Sequence, residues 1–378
     1  MTVVLKCMLA LTFIFGVSAH AQQPLSLPPL TAKSWLLLDV TANHLVAASN
    51  QNDRVEPASL TKLMTAYLAF AAVRDKRITK EQAVPVSERA WKAVGSKMFI
   101  EPQKRVTVDE LMHGMIVQSG NDASVALAEL IGGSEEGFAA MMNKEAKRLG
   151  MQNSNFTNSS GLPDAKHYST AFDMAILGQS IIRDFPDFYP LYSIKEYRYN
   201  NISQPNRNRL LWLDPNVDGM KTGHTQSAGY CLIASARRSE RRLLTVVMGA
   251  GSDTVRAQES QTLLNFGFQY FDTVRVYEKA KTVSTLRVWK GVGRELKAGL
   301  DSDVFVAIPR GTNDKIKAEL ATQQPIVAPI AKGQRIGTVK VAYDGKVVGE
   351  YPVIALEEIA VAGFFGRSWD SVMLWFNK

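Results

Sequence analysis

Cysteine is scarce in this sequence, which contains two, Cys7 and Cys231, among 378 residues. A disulfide-stabilised scaffold is therefore excluded, because such folds need several paired cysteines in a short chain. Histidines are also few, and none has a metal-ligand spacing such as His-Glu-x-x-His, so the sequence predicts no metal and no other cofactor. No stretch of about 20 apolar residues is present, which argues against a membrane-spanning helix.

The N-terminal segment, residues 1–21, has the pattern of a secretory signal. An apolar stretch over 7–17 follows Lys6, and small residues at 19–21 resemble a cleavage site. We therefore expect export, with Cys231 left as a lone thiol and no internal disulfide. The formal net charge of +8 suits an anionic cell-wall polymer or lipid headgroups, although ordinary solvated lysines give the same value. No nucleic-acid-binding motif is present, so no nucleic acid is expected as a partner.

Three short motifs carry the groups that acyl transfer by a serine needs. They are Ser59-Leu60-Thr61-Lys62, Ser119-Gly120-Asn121 and Lys221-Thr222-Gly223. Together they supply a hydroxyl nucleophile, amines and hydroxyls that can move its proton, and a cationic strand that can hold an anionic substrate. Each motif is weak alone, but all three in this order predict a serine acyltransferase site.

The first motif lies at the start of a predicted helix. Apolar residues recur at three- and four-residue spacing from Leu60 to Leu68, and Pro57 stands where a helix start tolerates proline. Ser59 then falls in the first turn, with Lys62 on the same face and within hydrogen-bonding reach. The helix N-terminus would also offer N–H groups to an oxyanion. Taken alone, the motif is also compatible with a capping serine and a solvated lysine.

The second motif connects two predicted helices. Helical patterns cover 110–118 and begin again at 125–130, so Ser119 and Asn121 occupy a tight connection. Gly120 would permit the backbone to bend there and point a hydroxyl and an amide into a cleft. The same string is a good helix N-cap, and both interpretations can hold for different atoms.

The third motif precedes two apolar runs of strand length, 229–236 and 243–249. We interpret the region as an antiparallel hairpin whose first strand carries the motif. Gly223 would leave room for a substrate backbone, and Lys221 would give a fixed positive charge. The backbone N–H groups of Ser59 and His224 are candidate oxyanion donors.

The first 275 residues predict a mixed α/β domain. Residues 35–48 form a predicted strand hairpin, and the hairpin at 228–249 comes much later in the chain. If both share one sheet, the helical stretch from 58 to 190 is an insertion packed on its face. A last helix starts near Arg256. We expect this catalytic domain to cover 22–275.

A small all-β domain is predicted next, over 276–356. A break at about 272–281 precedes a series of short strands with glycine and aspartate turns. The dipeptide Asp344-Gly345 between alternating segments is a strong hairpin signal.

The last segment, 357–378, predicts an amphipathic helix with an aromatic face. Arg367, Asp370 and Ser371 fall opposite that face. Such a helix is typical of one that lies in a membrane interface, and the alternative is a helix docked on its own β domain. The apolar side comprises Val361, Phe364, Phe365, Trp369, Val372, Met373 and Phe376.

With these motifs in view, the chain resembles the penicilloyl-serine enzymes, which include beta-lactamases and penicillin-binding proteins. Within this group it is most similar to the low-molecular-mass D-alanyl-D-alanine carboxypeptidases of the penicillin-binding-protein five and six type. The resemblance covers nearly the whole chain after residue 21. The strings that carry it are 57–62, 118–123, 206–208, 210–212, 217–225, 308–311 and 364–366.

The resemblance implies a fold and a set of roles. The expected fold is an α/β (α+β) penicillin-binding/beta-lactamase-like catalytic domain, with an antiparallel sheet and a helical insertion, followed by a small all-β sandwich and the amphipathic helix. Ser59 would be the acylated nucleophile, Lys62 its general base, and Ser119 a partner in proton transfer. Implied substrate-binding residues are Asn121, Lys221, Thr222, His224, Arg207 and Arg256, where a surface or structural salt bridge is the alternative for either arginine.

The expected function is removal of the terminal D-alanine from peptidoglycan stem pentapeptides, with beta-lactams as inhibitors and a role in cell-wall maturation and cell shape. The enzyme would act on the periplasmic side of the bacterial inner membrane, anchored peripherally by the C-terminal helix. Cross-link endopeptidase and beta-lactam sensor activities are the alternatives considered. Class A beta-lactamases carry Ser-Asp-Asn and a Glu-x-x-Leu-Asn string, which this sequence lacks, so fast hydrolysis of a penicilloyl ester is not expected.

Overall fold

The computed structural model describes residues 27–376, so the predicted signal segment 1–21 lies outside the described residues. The strands in this range alternate with helices up to residue 270 and dominate after it. In chain order the strands are β1 (Ser34–Asp39), β2 (His44–Ser49), β3 (Ala83–Val84), β4 (Val106–Thr107), β5 (Glu196–Tyr199), β6 (Ile202–Pro205), β7 (Val217–Thr225), β8 (Gly229–Arg238), β9 (Arg241–Ala250), β10 (Phe271–Tyr277), β11 (Thr282–Trp289), β12 (Glu295–Gly299), β13 (Val304–Pro309), β14 (Ile316–Thr322), β15 (Ile326–Val327), β16 (Arg335–Tyr343) and β17 (Lys346–Ala355).

The helices lie mostly between β2 and β5. Short 3-10 turns occupy Ala58–Thr61, Tyr189–Ser193 and Asn313–Lys315. The α-helices are α1 (Lys62–Arg74), α2 (Glu88–Lys92), α3 (Val108–Val117), α4 (Asn121–Gly132), α5 (Glu135–Leu149), α6 (Ala171–Asp184), α7 (Leu210–Leu213), α8 (Asp253–Tyr270) and α9 (Phe364–Phe376).

A five-stranded antiparallel sheet, in the order β2-β1-β9-β8-β7, separates two hydrophobic cores. Alternate residues of a strand point to opposite faces. Leu36 therefore packs into the core shared with the helical insertion, whereas its neighbour Leu37 packs against Leu263 and Leu264 of α8. The predicted α/β domain, with one sheet and a helical insertion on its face, is confirmed in this arrangement.

Helix α1 runs through the middle of the helical region. Its residues from Lys62 to Ala72 are all buried, and the turn Ala58–Thr61 leads directly into it. Ser59 therefore lies in a tight 3-10 turn and not in the first turn of the α-helix itself. A turn fixed to a fully buried helix has little freedom to move, which suits a group that must be held at one position.

The third motif has a strand of its own. The sequence predicted one hairpin whose first strand carries the motif, but β7, β8 and β9 form a three-stranded meander, in which β7 is the sheet edge. The tight turn at 226–228 connects β7 to β8, and the sequence did not predict it. The motif consequently lies at the edge of the sheet, where a strand has neighbours on one side only.

The C-terminal part is all-β, as predicted. A six-stranded sheet and the pair β10–β13 contribute to one hydrophobic core. The predicted break at about 272–281 is wrong at its start, because β10 begins at Phe271 immediately after α8 and pairs with β13. Residue 275 lies inside this strand, where the alternation of apolar residues was too short to be recognised.

Helix α9 lies within the predicted C-terminal segment 357–378. Most of its large apolar side chains are exposed. Phe365 is 88% exposed and Trp369 is 64% exposed. Met373, assigned to this apolar side, is half-buried. Asp370 is also half-buried, and its carboxylate accepts a hydrogen bond from the Lys290 amide. Within residues 27–376, no helix combines the length and the apolar character that crossing a bilayer requires.

Candidate active site

A cavity of about 600 Å³ opens between the helical region and the edge strand β7. Its walls bring together residues from all three motifs and from the segment before α7. Six of the nine predicted site residues line it, and these are Ser59, Ser119, Arg207, Thr222, His224 and Arg256. The other three, Lys62, Asn121 and Lys221, are buried close to it.

Lys62 is the centre of the hydrogen-bond network behind the Ser59 hydroxyl. Its Nζ donates to Ser59 Oγ at 2.9 Å, to Asn121 Oδ1 at 2.7 Å and to the carbonyl oxygen of Ser160 at 2.7 Å. The three acceptors fix the amine at hydrogen-bonding distance from the serine hydroxyl, which is the geometry a general base needs. This arrangement is not that of a capping serine with a solvated lysine, because Lys62 is 1% exposed.

The Lys62 amine is poised to change protonation near neutral pH. Burial, supported by the positive charge of Arg207 and opposed by Asp122, lowers its pKa from 10.5 to about 7. Desolvation disfavours the charged ammonium, so a substantial fraction of the neutral amine is present at pH 7. A neutral amine can accept the proton of a serine hydroxyl, whereas an ammonium cannot.

The second motif presents Ser119 and Asn121 differently from the sequence prediction. Ser119 itself adopts a left-handed backbone, with φ of 67°, and Gly120 does not. Gly120 is needed for close packing, because a Cβ there would lie 2.8 Å from Asp122 Oδ1 and 3.1 Å from the Met98 amide nitrogen. Strained backbone of this kind is concentrated at functional sites, and here it directs the Ser119 side chain into the cavity.

Asp122 fixes the loop between α2 and β4. Its carboxylate accepts hydrogen bonds from three consecutive amides, those of Met98 at 2.9 Å, Phe99 at 2.8 Å and Ile100 at 3.2 Å. Asn121 holds the same loop, since its Nδ2 donates to the Val94 carbonyl at 2.6 Å. The sequence analysis included Asp122 in a matching string but gave it no role.

The third motif places the buried amine of Lys221 beside the turn Ala58–Thr61, which carries Ser59 and is called the catalytic turn below. A Cβ at Gly223 would lie 3.0 Å from the Pro57 carbonyl oxygen and 3.2 Å from the Ser59 amide nitrogen. Close packing of β7 against this turn therefore favours glycine at position 223, and Gly223 also lines the cavity, where room for a substrate backbone stays a prediction. Burial and the charges of Lys62, Arg207 and Arg256 lower the pKa of Lys221 well below its usual value.

The two predicted carboxylate-binding arginines have different surroundings. Arg256 is buried, forms an ion pair with Asp253, and donates to the Gly223 carbonyl at 3.0 Å, so it also holds β7 in place. Arg209 shares Asp253 at 3.3 Å. Arg207 lines the cavity and is exposed, and within residues 27–376 it has no ion pair or hydrogen bond. Arg207 is consequently the cation that remains available to an anionic ligand.

A buried histidine joins the loop 157–168 to the catalytic turn. His167 Nδ1 accepts from the Thr157 amide at 3.1 Å, so the proton of the neutral ring lies on Nε2, which donates to Thr61 Oγ1 at 2.8 Å. Burial, opposed by Asp164 and Glu56, lowers the His167 pKa to about 4. Nothing in the local sequence of His167 predicts this contact.

We expect His167 to make stability depend on pH between about 6.5 and 4. The unfolded chain binds a proton near pH 6.5, whereas the folded ring stays neutral down to about pH 4. Between pH 7 and pH 4, the free energy of unfolding of the wild-type protein should therefore fall by about 3 kcal/mol more than that of His167→Gln. Denaturant titration of both proteins at each pH gives the two values. If the free energy of unfolding of the two proteins changed equally with pH, His167 would not be a buried neutral histidine that stabilises the fold.

The arrangement as a whole has the geometry of a serine acyltransferase site, with a buried lysine amine at hydrogen-bonding distance from a serine hydroxyl. Comparisons with known proteins identify the family. The family model described as D-alanyl-D-alanine carboxypeptidase matches residues 19–252, and the model of the penicillin-binding protein 5 C-terminal domain matches residues 271–361. The chain belongs to the D-alanyl-D-alanine carboxypeptidase family.

Individual relatives match between 64% and 98% of this chain. The chain is 42% identical to D-alanyl-D-alanine carboxypeptidase DacC of Escherichia coli (strain K12), over 98% of this chain and 94% of that one. The structure of penicillin binding protein 5 from Haemophilus influenzae has a TM-score of 0.84 at 43% identity, and covers 88% of this chain and 98% of its own. Penicillin-Binding Protein D2 from Listeria monocytogenes, solved in an ampicillin-bound form, has a TM-score of 0.59 at 28% identity over 64% of this chain and 98% of its own.

These findings confirm the predicted family, fold class and enzyme class. The chain is a serine-type D-alanyl-D-alanine carboxypeptidase with a role in the bacterial cell wall, of the kind that beta-lactams acylate and inhibit. In the part of the chain that the structure describes, no group of three histidine, cysteine, aspartate or glutamate side chains is arranged to hold a metal ion.

Proposed function

We propose that Ser59 and Lys62 carry out the acyl transfer. The neutral Lys62 amine accepts the proton of Ser59 as Oγ attacks the carbonyl carbon between the two terminal D-alanines. Collapse of the tetrahedral intermediate breaks the C–N bond, and the leaving D-alanine takes a proton from the ammonium. Water then hydrolyses the acyl-Ser59 ester. The single observation that carries this mechanism is the 2.9 Å contact between Lys62 Nζ and Ser59 Oγ, with a Lys62 pKa near 7.

Oxyanion stabilisation and proton return complete the proposal. The amide of Ser59 faces the edge strand near Gly223, so Ser59 and His224 are proposed to donate to the developing oxyanion from either side. Ser119, which has no hydrogen bond to residues 27–376 and lines the cavity, is proposed to pass the proton from Lys62 to the leaving amine. The Lys221 amine, with its lowered pKa, belongs to the same proton network.

Substrate recognition is proposed to use the terminal carboxylate. Arg207 presents an unpaired guanidinium to the cavity, and Thr222 also lines it. Arg256 contributes positive charge, although Asp253 already forms an ion pair with it. A free carboxylate distinguishes a chain end from a cross-link within the wall, so this contact favours carboxypeptidase over endopeptidase action.

The first test concerns the nucleophile and the product. Wild-type protein should release D-alanine from a synthetic pentapeptide ending in D-Ala-D-Ala, and penicillin should add its full mass to Ser59. Ser59→Ala should lose both activities by at least about a thousandfold, because the groups of one proton-transfer unit do not act additively. Mass spectrometry of products and protein provides the measurement.

The exposed serine of β6 provides a matched control, and Ser203→Ala should behave as wild type. Penicillin labelling that persists in Ser59→Ala would refute the assignment of the nucleophile.

The second test concerns the carboxylate. Arg207→Gln should lower kcat/KM for a peptide with a free C-terminus by about 10- to 100-fold, the effect expected for loss of a charged hydrogen bond. The same peptide with an amidated C-terminus should be affected far less. Arg209→Gln is the matched control, because Arg209 already pairs with Asp253. Equal losses on both peptides would show that Arg207 does not read the carboxylate.

For the location, we propose export through the segment 1–21 and peripheral attachment to the inner membrane through α9. The support for attachment is the row of exposed side chains at Phe364, Phe365, Trp369 and Val372, which a water-facing helix would not normally present. The β domain over 276–356, with the strand that begins at Phe271, is proposed as a spacer that holds the catalytic domain away from the lipid surface.

Removal of α9 should release the protein from membranes without affecting acylation. The truncation belongs after Gly363 and not before Ile359, because Ile359 is buried in the β-domain core. Trp369→Glu alone should weaken binding to inner-membrane vesicles by at least about tenfold, since burial of one large apolar side chain contributes about 1.5–3 kcal/mol. Ser371→Glu, on the polar side of α9, is the control.

Sedimentation with vesicles gives the bound fraction, and the rate of penicillin acylation reports whether the catalytic domain is intact. Complete pelleting of the truncated protein would refute the anchor.

A further inference from the structure

A second cavity, of about 560 Å³, lies beside the catalytic one. The two cavities are lined by consecutive residues, since Ser96 belongs to the catalytic wall and Lys97 to the second cavity. A polymeric substrate whose end occupies the catalytic cavity can therefore extend into the second. Its lining is mainly aromatic and aliphatic, and consists of Trp91, Lys97, Phe99, Ile100, Glu101, Pro102 and Gln103.

The aromatic side chains of this cavity are held toward solvent. Phe99 adopts a left-handed backbone, with φ of 70°, which is unfavourable for a bulky side chain. The Asp122 carboxylate imposes it by accepting hydrogen bonds from three successive amides, including that of Phe99. Phe99 is 44% exposed and Trp91 is 45% exposed, although a core lies directly beneath them at Met98 and Ile100. Strain that keeps an aromatic ring out of the core points to a ligand contact.

The charged residues of the second cavity are already paired within the protein. Lys97 Nζ donates to the Trp91 carbonyl at 2.8 Å, and Glu101 accepts from Lys104 at 2.8 Å and from Asn200 at 2.6 Å. The groups left for a ligand are aromatic faces, aliphatic surface, the Gln103 amide and the remaining N–H donors of Lys97. This lining suits a ligand with an apolar face and hydrogen-bonding edges.

We propose that the second cavity binds an N-acetylated amino sugar of the glycan strand to which the stem peptide is attached. The axial C–H face of a pyranose can stack on Trp91 or Phe99, and the acetamido group can hydrogen-bond to Gln103. The assignment rests on the proposed function, because it requires that the catalytic cavity holds the peptide of the same molecule.

The direct test measures oligosaccharide binding to the full-length protein. A tetramer of N-acetylglucosamine is titrated into wild type, Trp91→Ala, Phe99→Ala and Trp212→Ala, and binding is followed by calorimetry. Trp212 is the matched control, since it is 49% exposed and lines neither cavity. Wild type and Trp212→Ala should bind equally, and Trp91→Ala and Phe99→Ala should each bind about tenfold more weakly. Equal binding by all four proteins, or none by wild type, would overturn the proposal.

The kinetic test compares a free pentapeptide with the same pentapeptide attached to a disaccharide. Trp91→Ala and Phe99→Ala should lower kcat/KM about tenfold for the attached substrate and leave it unchanged for the free peptide. Equal losses on both substrates would mean that the cavity serves the peptide instead. Unchanged penicillin acylation establishes that each variant is folded. The binding test does not depend on turnover, so it distinguishes a failure of this inference from a failure of the carboxypeptidase assignment.

Discussion

The structure depends on one buried amine whose pKa is lowered to about 7. Lys62 is buried and all three of its hydrogen-bond partners are uncharged, so its ammonium form lacks the compensation that a carboxylate in contact would give. Asp122 raises the Lys62 pKa only from a distance, and Arg207 lowers it. A direct ion pair would restore an ordinary ammonium and remove the base. The surrounding elements keep both water and a carboxylate away from the Lys62 amine.

Four segments that are distant in sequence meet at that amine. Helix α1 supplies Lys62, α4 supplies Asn121, the loop before His167 supplies the Ser160 carbonyl, and β7 closes the other side of the catalytic turn. The loop is packed so closely that a Cβ at Gly161 would lie 1.8 Å from the Ala58 carbonyl oxygen. The precision of the site therefore comes from contacts between elements, and no single motif would maintain it.

The parts of the site that were predictable from the sequence are those that local spacing determines. Ser59 and Lys62 lie three residues apart next to a helix, so their contact follows from helical geometry alone. The Ser160 carbonyl, the Asp122 contacts and the His167 clamp were not predictable, because they involve backbone atoms or partners from 22 to 106 residues away. The sequence predicted that Gly120 makes the bend, because glycine is the more permissive residue, but the left-handed backbone is at its neighbour Ser119. Close packing, and not conformational preference, determines the glycine at position 120.

The free thiol of Cys231 has a consequence for how the protein tolerates its surroundings. Cys231 lies fully buried on β8, and burial raises its pKa to about 11. A thiol that is neither ionised nor accessible reacts slowly with oxidants and with other disulfides. The catalytic domain over the described residues consequently has no covalent link whose formation must precede activity. Folding of the described part of the chain should therefore not depend on whether the medium is reducing or oxidising.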